Sequence, residues 1–239
     1  TIDLCSAMLQ DSAFIQEKDA EFLNRRTARR RRVIEEPERA PVAPLYTVND
    51  AKAAMAQFRA VEMHARTEVL PGVFSTTHEA GHMLGSTFLE LELEGKRLLF
   101  SGDVGRKNLP IIRDPERAVT ADILIMESTY GDRLHQPMDR AKEKLAAIIN
   151  GTANRGGKII APAFAVGRTQ QLVLMIHELI HEGRISEIPV FVDSPLAVNV
   201  TEAFRTHTEC YDKETNLFID GGDDPFGFRR LRYIRDVEE

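Results

Sequence analysis

Cysteine is scarce in this chain: among 239 residues only Cys5 and Cys210 occur, far apart and in no zinc or redox spacing. That excludes a disulfide scaffold and a cysteine-based metal module, and it fits two reduced thiols in a cytoplasmic protein. No segment reaches the ~20 uninterrupted apolar residues of a membrane helix. No basic-then-apolar leader opens the chain either. Internal repeats and low-complexity tracts are also missing. There is no surplus of positive charge: 31 Lys and Arg against 37 Asp and Glu leave a net charge of −6, so total charge does not mark a nucleic-acid binder. Nor is there an initiating Met. The chain opens on Thr1 and runs at once into an amphipathic pattern (Leu4, Met8, Leu9, Ile15, Phe22, Leu23), as expected of a piece cut from something longer.

What is present is ordinary globular composition, 43% hydrophobic and 28% charged, at a length that suits one large domain or parts of two. The charge is unevenly spread. Arg25, Arg26 and Arg29 to Arg32 form a basic block, and Arg229, Arg230, Arg232 and Arg235 a looser one. Each is either a solvated face or an anion-binding patch.

The pattern predicts helix over residues 3–32, a proline-rich connector from Glu35 to Pro44, and a helix over 49–66 with Ala54, Met55, Phe58 and Val61 as its apolar stripe. From Val69 to Met126 the pattern is β. Thr87 to Leu93 alternates as a half-buried strand, Glu94-Gly95 marks a turn, and Lys96 to Phe100 returns. Residues 122–126 are an apolar run of the kind buried on both faces of a sheet. Beyond residue 135 strands and helices alternate: a helix from Pro137 to Gly151, a buried strand from Lys158 to Phe164, a helix from Gly167 to Glu182, a strand from Pro189 to Asp193 and a helix from Pro195 to His207. That order predicts an α/β fold with a parallel sheet and a domain boundary near residue 135.

The hairpin carries a geometric consequence. His82 lies just before its first strand and Asp103 just after its second, so folding at Glu94-Gly95 brings both to one end. Each sits in a glycine-rich loop, where the backbone bends sharply and approaches other groups closely. The apolar strand 122–126 ends at Glu127, a third polar residue at a strand terminus. An imidazole and carboxylates on strand-end loops suit a zinc hydrolase. A buried histidine and a turn aspartate of purely structural use suit the same pattern.

Two segments match H-E-x-x-H, the helical zinc motif of metallopeptidases: His78 to His82 and His177 to His181. Gly81 and the flanking Pro71-Gly72 argue against a helix in the first. The second lies on a helix, but Leu172, Met175, Ile176, Leu179 and Ile180 form its buried stripe, placing His177 and His181 on a solvated flank. Arg168 and Ser194 stand at strand-to-helix junctions, where parallel sheets bind phosphate. They either hold an RNA backbone, or these junctions serve only to cap helices through Thr169 and Ser194.

Five motifs in order carry a family resemblance: Ala80-Gly81-His82-Met83-Leu84-Gly85-Ser86, Phe100-Ser101-Gly102-Asp103-Val104-Gly105-Arg106, Glu127-Ser128-Thr129-Tyr130-Gly131, Pro162-Ala163-Phe164-Ala165-Val166-Gly167-Arg168-Thr169-Gln170 and Asp193-Ser194-Pro195-Leu196-Ala197. Together they resemble the later motifs of the β-CASP metallo-β-lactamase family, RNA-processing nucleases that include bacterial and archaeal RNases and the endonuclease of pre-mRNA 3′ ends. The resemblance implies that residues 1–135 are part of a metallo-β-lactamase αββα sandwich and 136–239 the beginning of a parallel-sheet β-CASP domain. It makes His82 a zinc ligand, Asp103 the carboxylate bridging two zincs and Glu127 the acidic residue that orients the catalytic histidines. The implied reaction is cleavage of single-stranded RNA by metal-bound hydroxide, with Arg168 and Ser194 on the substrate, and a homodimer is a compatible assembly. The family's H-x-H-x-D-H motif and its last two histidines are absent from this sequence. The expectation is therefore an inactive piece of an active parent, with a noncatalytic scaffold of the same fold as the alternative.

Overall fold

The computed structural model describes residues 2–34, 40–134 and 138–235, and the chain falls into two compact units, 1–60 and 61–239. The expected boundary near residue 135 thus lies inside the second unit.

In the first unit, α1 (Ile2–Ile34) is one long helix. Its buried stripe is Leu4, Ala13 and Ala20, while Ile15, Phe22 and Leu23 of the expected apolar pattern are exposed. The described part of the connector runs back along this helix. Asn24 donates to the carbonyl of Val42 and accepts its N–H, both at 2.8 Å, and Gln16 accepts the N–H of Leu45. Thr47 and Asp50 then form a reciprocal capping box that starts α2 (Val48–Met55). The helix expected over 49–66 therefore ends early, and Phe58 and Val61 of its supposed stripe are exposed.

The second unit opens with a five-stranded sheet, order β1-β2-β3-β4-β5: β1 (Thr67–Leu70), β2 (Val73–Glu79), β3 (Thr87–Leu93), β4 (Lys96–Phe100) and β5 (Ile123–Ile125). β1 to β4 are antiparallel, and β5 joins β4 in parallel. At the β3–β4 turn both Glu94 (φ 49°) and Gly95 (φ 72°) are left-handed, the conformation whose twist matches a two-residue hairpin. The alternation of β3 holds, but its most buried face is Phe88 and Glu90. Glu90 tolerates burial because Nε of Arg97 lies 2.7 Å and Nε2 of His78 3.1 Å from its carboxylate oxygens.

Two apolar runs expected to be buried are not. Ile123, Leu124 and Ile125 are each about half exposed, since β5 is an edge strand with only β4 beside it. Residues 158–164 form no strand, and Ile160 is 92% exposed. Among the described residues no strand pairs with them, so their apolar side chains gain no partner.

Helices α3 (Met138–Asn154), α4 (Arg168–His181) and α5 (Pro195–Thr206) follow, with the short α6 (Lys213–Asp220). The expected start of α3 at Pro137 lies outside the described residues. Its far end passes Gly151 and stops at Asn154, two residues before Gly156 (φ 68°), with Ile149 and Thr152 buried on one face. Strands β6 (Val190–Asp193) and β7 (Leu231–Ile234) form a parallel pair, so the expected parallel arrangement is present in a two-stranded sheet. Ala146, Ile149, Ile176, Leu179 and Ile185 make the core between α3 and α4. In the later arginine block, Arg229 pairs with the carboxylate of Glu187 and Arg230 donates to its backbone carbonyl.

Candidate metal and RNA site

The loop after β2 and the loop after β4 are locked backbone to backbone. The N–H of Gly105 donates to the carbonyl of Ala80 at 2.8 Å. A Cβ on Gly105 would lie 1.6 Å from the carbonyl oxygen of Gly81, and one on Gly81 (φ 59°) 2.5 Å from the backbone nitrogen of Pro115. No side chain fits at either place, which is the physical reason for glycine in both motifs.

Ser86 shapes the first loop: its hydroxyl oxygen accepts the N–H groups of His82 and Met83 at 3.0 and 3.1 Å. Ser101 shapes the second. Its hydroxyl donates to the carbonyl of Gly102 and accepts the N–H of Glu127, tying the end of β5 to the Asp103 loop. These contacts bring His82, Asp103 and Glu127 to one end of the hairpin. Nε2 of His82 stands 3.8 Å from Oδ2 of Asp103, with both side chains open to solvent. Glu127 accepts the N–H of Val104, the residue after Asp103, at 2.8 Å. The hydroxyl of Thr129 is the main cause holding its carboxyl below the usual range, followed by the N–H of Val104. A small contribution comes from His82.

His82 also lines a narrow crevice shared with Gly167 and Gln171 at the start of α4. Arg168, the first residue of α4, is exposed and close enough to Arg106 to help depress the latter's pKa, burial of Arg106 being the larger cause. Ser194 caps α5, its oxygen accepting the N–H of Ala197 at 3.2 Å. Thr169 does not cap α4: its hydroxyl donates to the carbonyl of Phe164, and Gly167 is the N-cap without a side-chain bond. The larger surface cavity, about 480 Å³, lies around the Glu94-Gly95 turn at the other end of the hairpin and is lined by none of the predicted residues.

Both H-E-x-x-H segments fail as peptidase sites. His78 and Glu79 are in a strand and His82 in a loop, so no helix aligns the two histidines. In the second, His177 is buried against Phe218 and Phe228 rather than solvated, while His181 is exposed. Their helix turns them to different environments. The solvated-flank expectation is corrected for His177, whose ring fills space between two aromatic side chains.

Sequence inspection missed Ser86, Ser101 and Thr129 as positioning residues, although each lies within a motif already singled out. It also missed a second group, His64, His78 and Glu116, whose nitrogen and oxygen donors all lie within 4.8 Å of one another.

Comparison with known proteins agrees with the motifs. Residues 169–239 match the Beta-Casp domain family. Over most of its length the chain is also similar to named ribonucleases. It is 32% identical over 201 residues to Endoribonuclease YSH1 of Eremothecium gossypii, covering 82% of this chain and 26% of that protein. Endoribonuclease ysh1 of Schizosaccharomyces pombe is 33% identical over 200 residues, covering 82% and 26%. Ribonuclease TTHA0252 of Thermus thermophilus is 28% identical over 206 residues, covering 86% and 47%. The chain thus spans from about a quarter to about half the length of these relatives.

Proposed function

We propose that the protein hydrolyses RNA phosphodiester bonds at the His82–Asp103 end of the hairpin, with zinc as its metal. The observation that carries this is the convergence of an imidazole and two carboxylates on interlocked glycine loops, in a chain similar to two kinds of named ribonuclease.

The donor set fits zinc. Ligands at ~2.1 Å in tetrahedral array stand roughly 3.4 Å apart, and the 3.8 Å between His82 and Asp103 needs only a small side-chain adjustment. Two donors do not complete such a site, so in this proposal other parts of a longer protein supply the rest, for about two ions in all. Zinc bound there supplies an activated water and offsets charge developing on the phosphoryl oxygens.

The chain's own residues hold and orient. His82 and Asp103 are the metal ligands. Glu127, kept ionised by the Thr129 hydroxyl and the Val104 N–H, positions the Asp103 loop and is a positioning residue rather than a reacting one. Arg168 offers its guanidinium to a phosphate beside the His82 crevice. Ser194 uses its oxygen as a cap and leaves its hydroxyl proton to donate to the backbone of single-stranded RNA. A cytoplasmic homodimer is the assembly proposed.

The test is cleavage of single-stranded RNA by the full-length protein carrying Asp103→Ala. Its carboxylate is exposed, so the fold should persist while activity falls by more than the ~10- to 100-fold typical of a residue that only supports a metal ligand. Undiminished cleavage would sink the assignment.

A further inference from the structure

His64, His78 and Glu116 form a group that shares no donor with the His82–Asp103 pair. Its members come from three separate stretches of chain: the segment before β1, the end of β2, and the long connection from β4 to β5. The carbonyls of Thr77 and Glu79, the two neighbours of His78, bring the stretches together. Thr77 accepts the N–H of His64 at 3.0 Å, and Glu79 accepts the N–H of Glu116 at 2.9 Å. His64 takes a left-handed backbone (φ 64°) to make its bond, a conformation that histidine, like asparagine, adopts more readily than most residues other than glycine. Both partners are therefore pinned beside His78 by the backbone, independently of their side chains.

The side chains then converge. Nε2 of His64 lies 2.7 Å from one carboxylate oxygen of Glu116, and Nδ1 of His78 lies 3.5 Å from the other. The far nitrogen of His78, Nε2, faces the buried carboxylate of Glu90 at 3.1 Å. The two ring nitrogens of His78 are not equivalent here, because the carboxylate of Glu90, which also pairs with Nε of Arg97, stands beside Nε2 alone. With Nε2–H donating to Glu90, the lone pair of Nδ1 is left facing Glu116, a gap that either a proton or a metal ion fills. The carboxylate behind the histidine is what fixes tautomer and ring orientation in metal-binding imidazoles. Phe88 stacks on the His78 ring at 4.8 Å between centroids and 14° between planes, holding it further.

We propose that His64, His78 and Glu116 form a second metal site for a divalent ion of the zinc class. Two imidazoles and one carboxylate suit a borderline-soft ion and not the all-oxygen preference of calcium or magnesium. Three protein donors with His64 and Glu116 exposed leave a fourth position for water. The ion clamps the segment before β1 and the β4–β5 connection onto β2, and the second of these carries Pro115, the residue packed against Gly81 in the His82 loop.

The test is Zn²⁺ titration of the full chain by calorimetry, in a background where His82→Ala and Asp103→Ala have removed the other donors. One equivalent of zinc should still bind, and the melting temperature should rise with it. Adding His64→Asn, which keeps a residue tolerant of the left-handed backbone, or Glu116→Gln should weaken binding at least tenfold and abolish the metal-dependent rise, while metal-free melting stays unchanged. The proposal is overturned if the background variant binds no zinc, or if His64→Asn and Glu116→Gln leave its affinity unaltered. Failure of the RNA-cleavage assignment would appear instead in the Asp103→Ala assay and leave this titration untouched.

Discussion

The strand-end loops and the helix starts hold their predicted site residues in different ways. His82 and Asp103 hang on loops that touch backbone to backbone, with Gly81 and Gly105 where no Cβ fits and with Ser86 and Ser101 bonding the turns from within. Arg168 and Ser194 stand at the first turns of α4 and α5, where Ser194 caps one helix and Thr169 ties the start of the other to Phe164, with neither bond using the Arg168 side chain. In the loops, placement of the functional groups and stability of the fold depend on the same contacts. At the helix starts the two are separable. A change to the loop backbone should cost the fold, whereas a change to Arg168 should cost only its partner.

The largest effect expected is for Gly105→Ala. Its methyl group would meet the backbone of Gly81 and not a movable side chain, so the loss should exceed about 4 kcal/mol or prevent folding. Urea unfolding checks this, and a loss below about 1 kcal/mol would show that the loops are not interlocked. Next is Arg168→Ala, expected to weaken single-stranded RNA binding and flatten its salt dependence by about one charge contact without changing melting. Binding measured at several salt concentrations decides it. An unchanged salt slope would remove Arg168 from the RNA surface. Ser194→Ala should then cost about 1 kcal/mol through the lost cap, seen as a lower melting temperature, with any larger effect on RNA binding marking a second role.

The smallest effect concerns pH. Burial pushes the Glu79 carboxyl above its ordinary value near 4.5, opposed chiefly by the N–H of Gly81. A carboxyl raised in the folded state contributes its stability at low pH and loses it as pH rises through the folded value. The stability of the wild type relative to Glu79→Gln should therefore decline from pH 4 towards neutrality in paired thermal melts. A relative stability that climbs over that range would reverse the sign.

Much of the sheet was legible because its signals are local. The alternation of Thr87 to Leu93 and the Glu94-Gly95 turn define a hairpin without reference to the rest of the chain, and the hairpin alone predicts that His82 and Asp103 meet. The apolar runs 123–125 and 158–164 were misjudged because burial depends on what packs against them, which no local pattern contains. The helix expected to reach residue 66 failed for a similar reason: Phe58 and Val61 fit a helical stripe, yet the chain leaves the helix early and pins the backbone of His64 beside β2. The group of His64, His78 and Glu116 was invisible for the same cause, since backbone bonds to β2 and side-chain contacts join residues far apart in the chain. Glu90 shows the converse. It shares the buried face of β3 with Phe88, and that burial is explicable only with Arg97 and His78 in place.

The central claim is that the His82–Asp103 end is where RNA is cut, held by loops rather than merely near them. Single-turnover cleavage and melting of full-length Asp103→Ala and wild-type protein, measured side by side, test it most directly. The account predicts unchanged melting with cleavage lost beyond the roughly hundredfold expected of a supporting residue. Wild-type cleavage by the variant would contradict it.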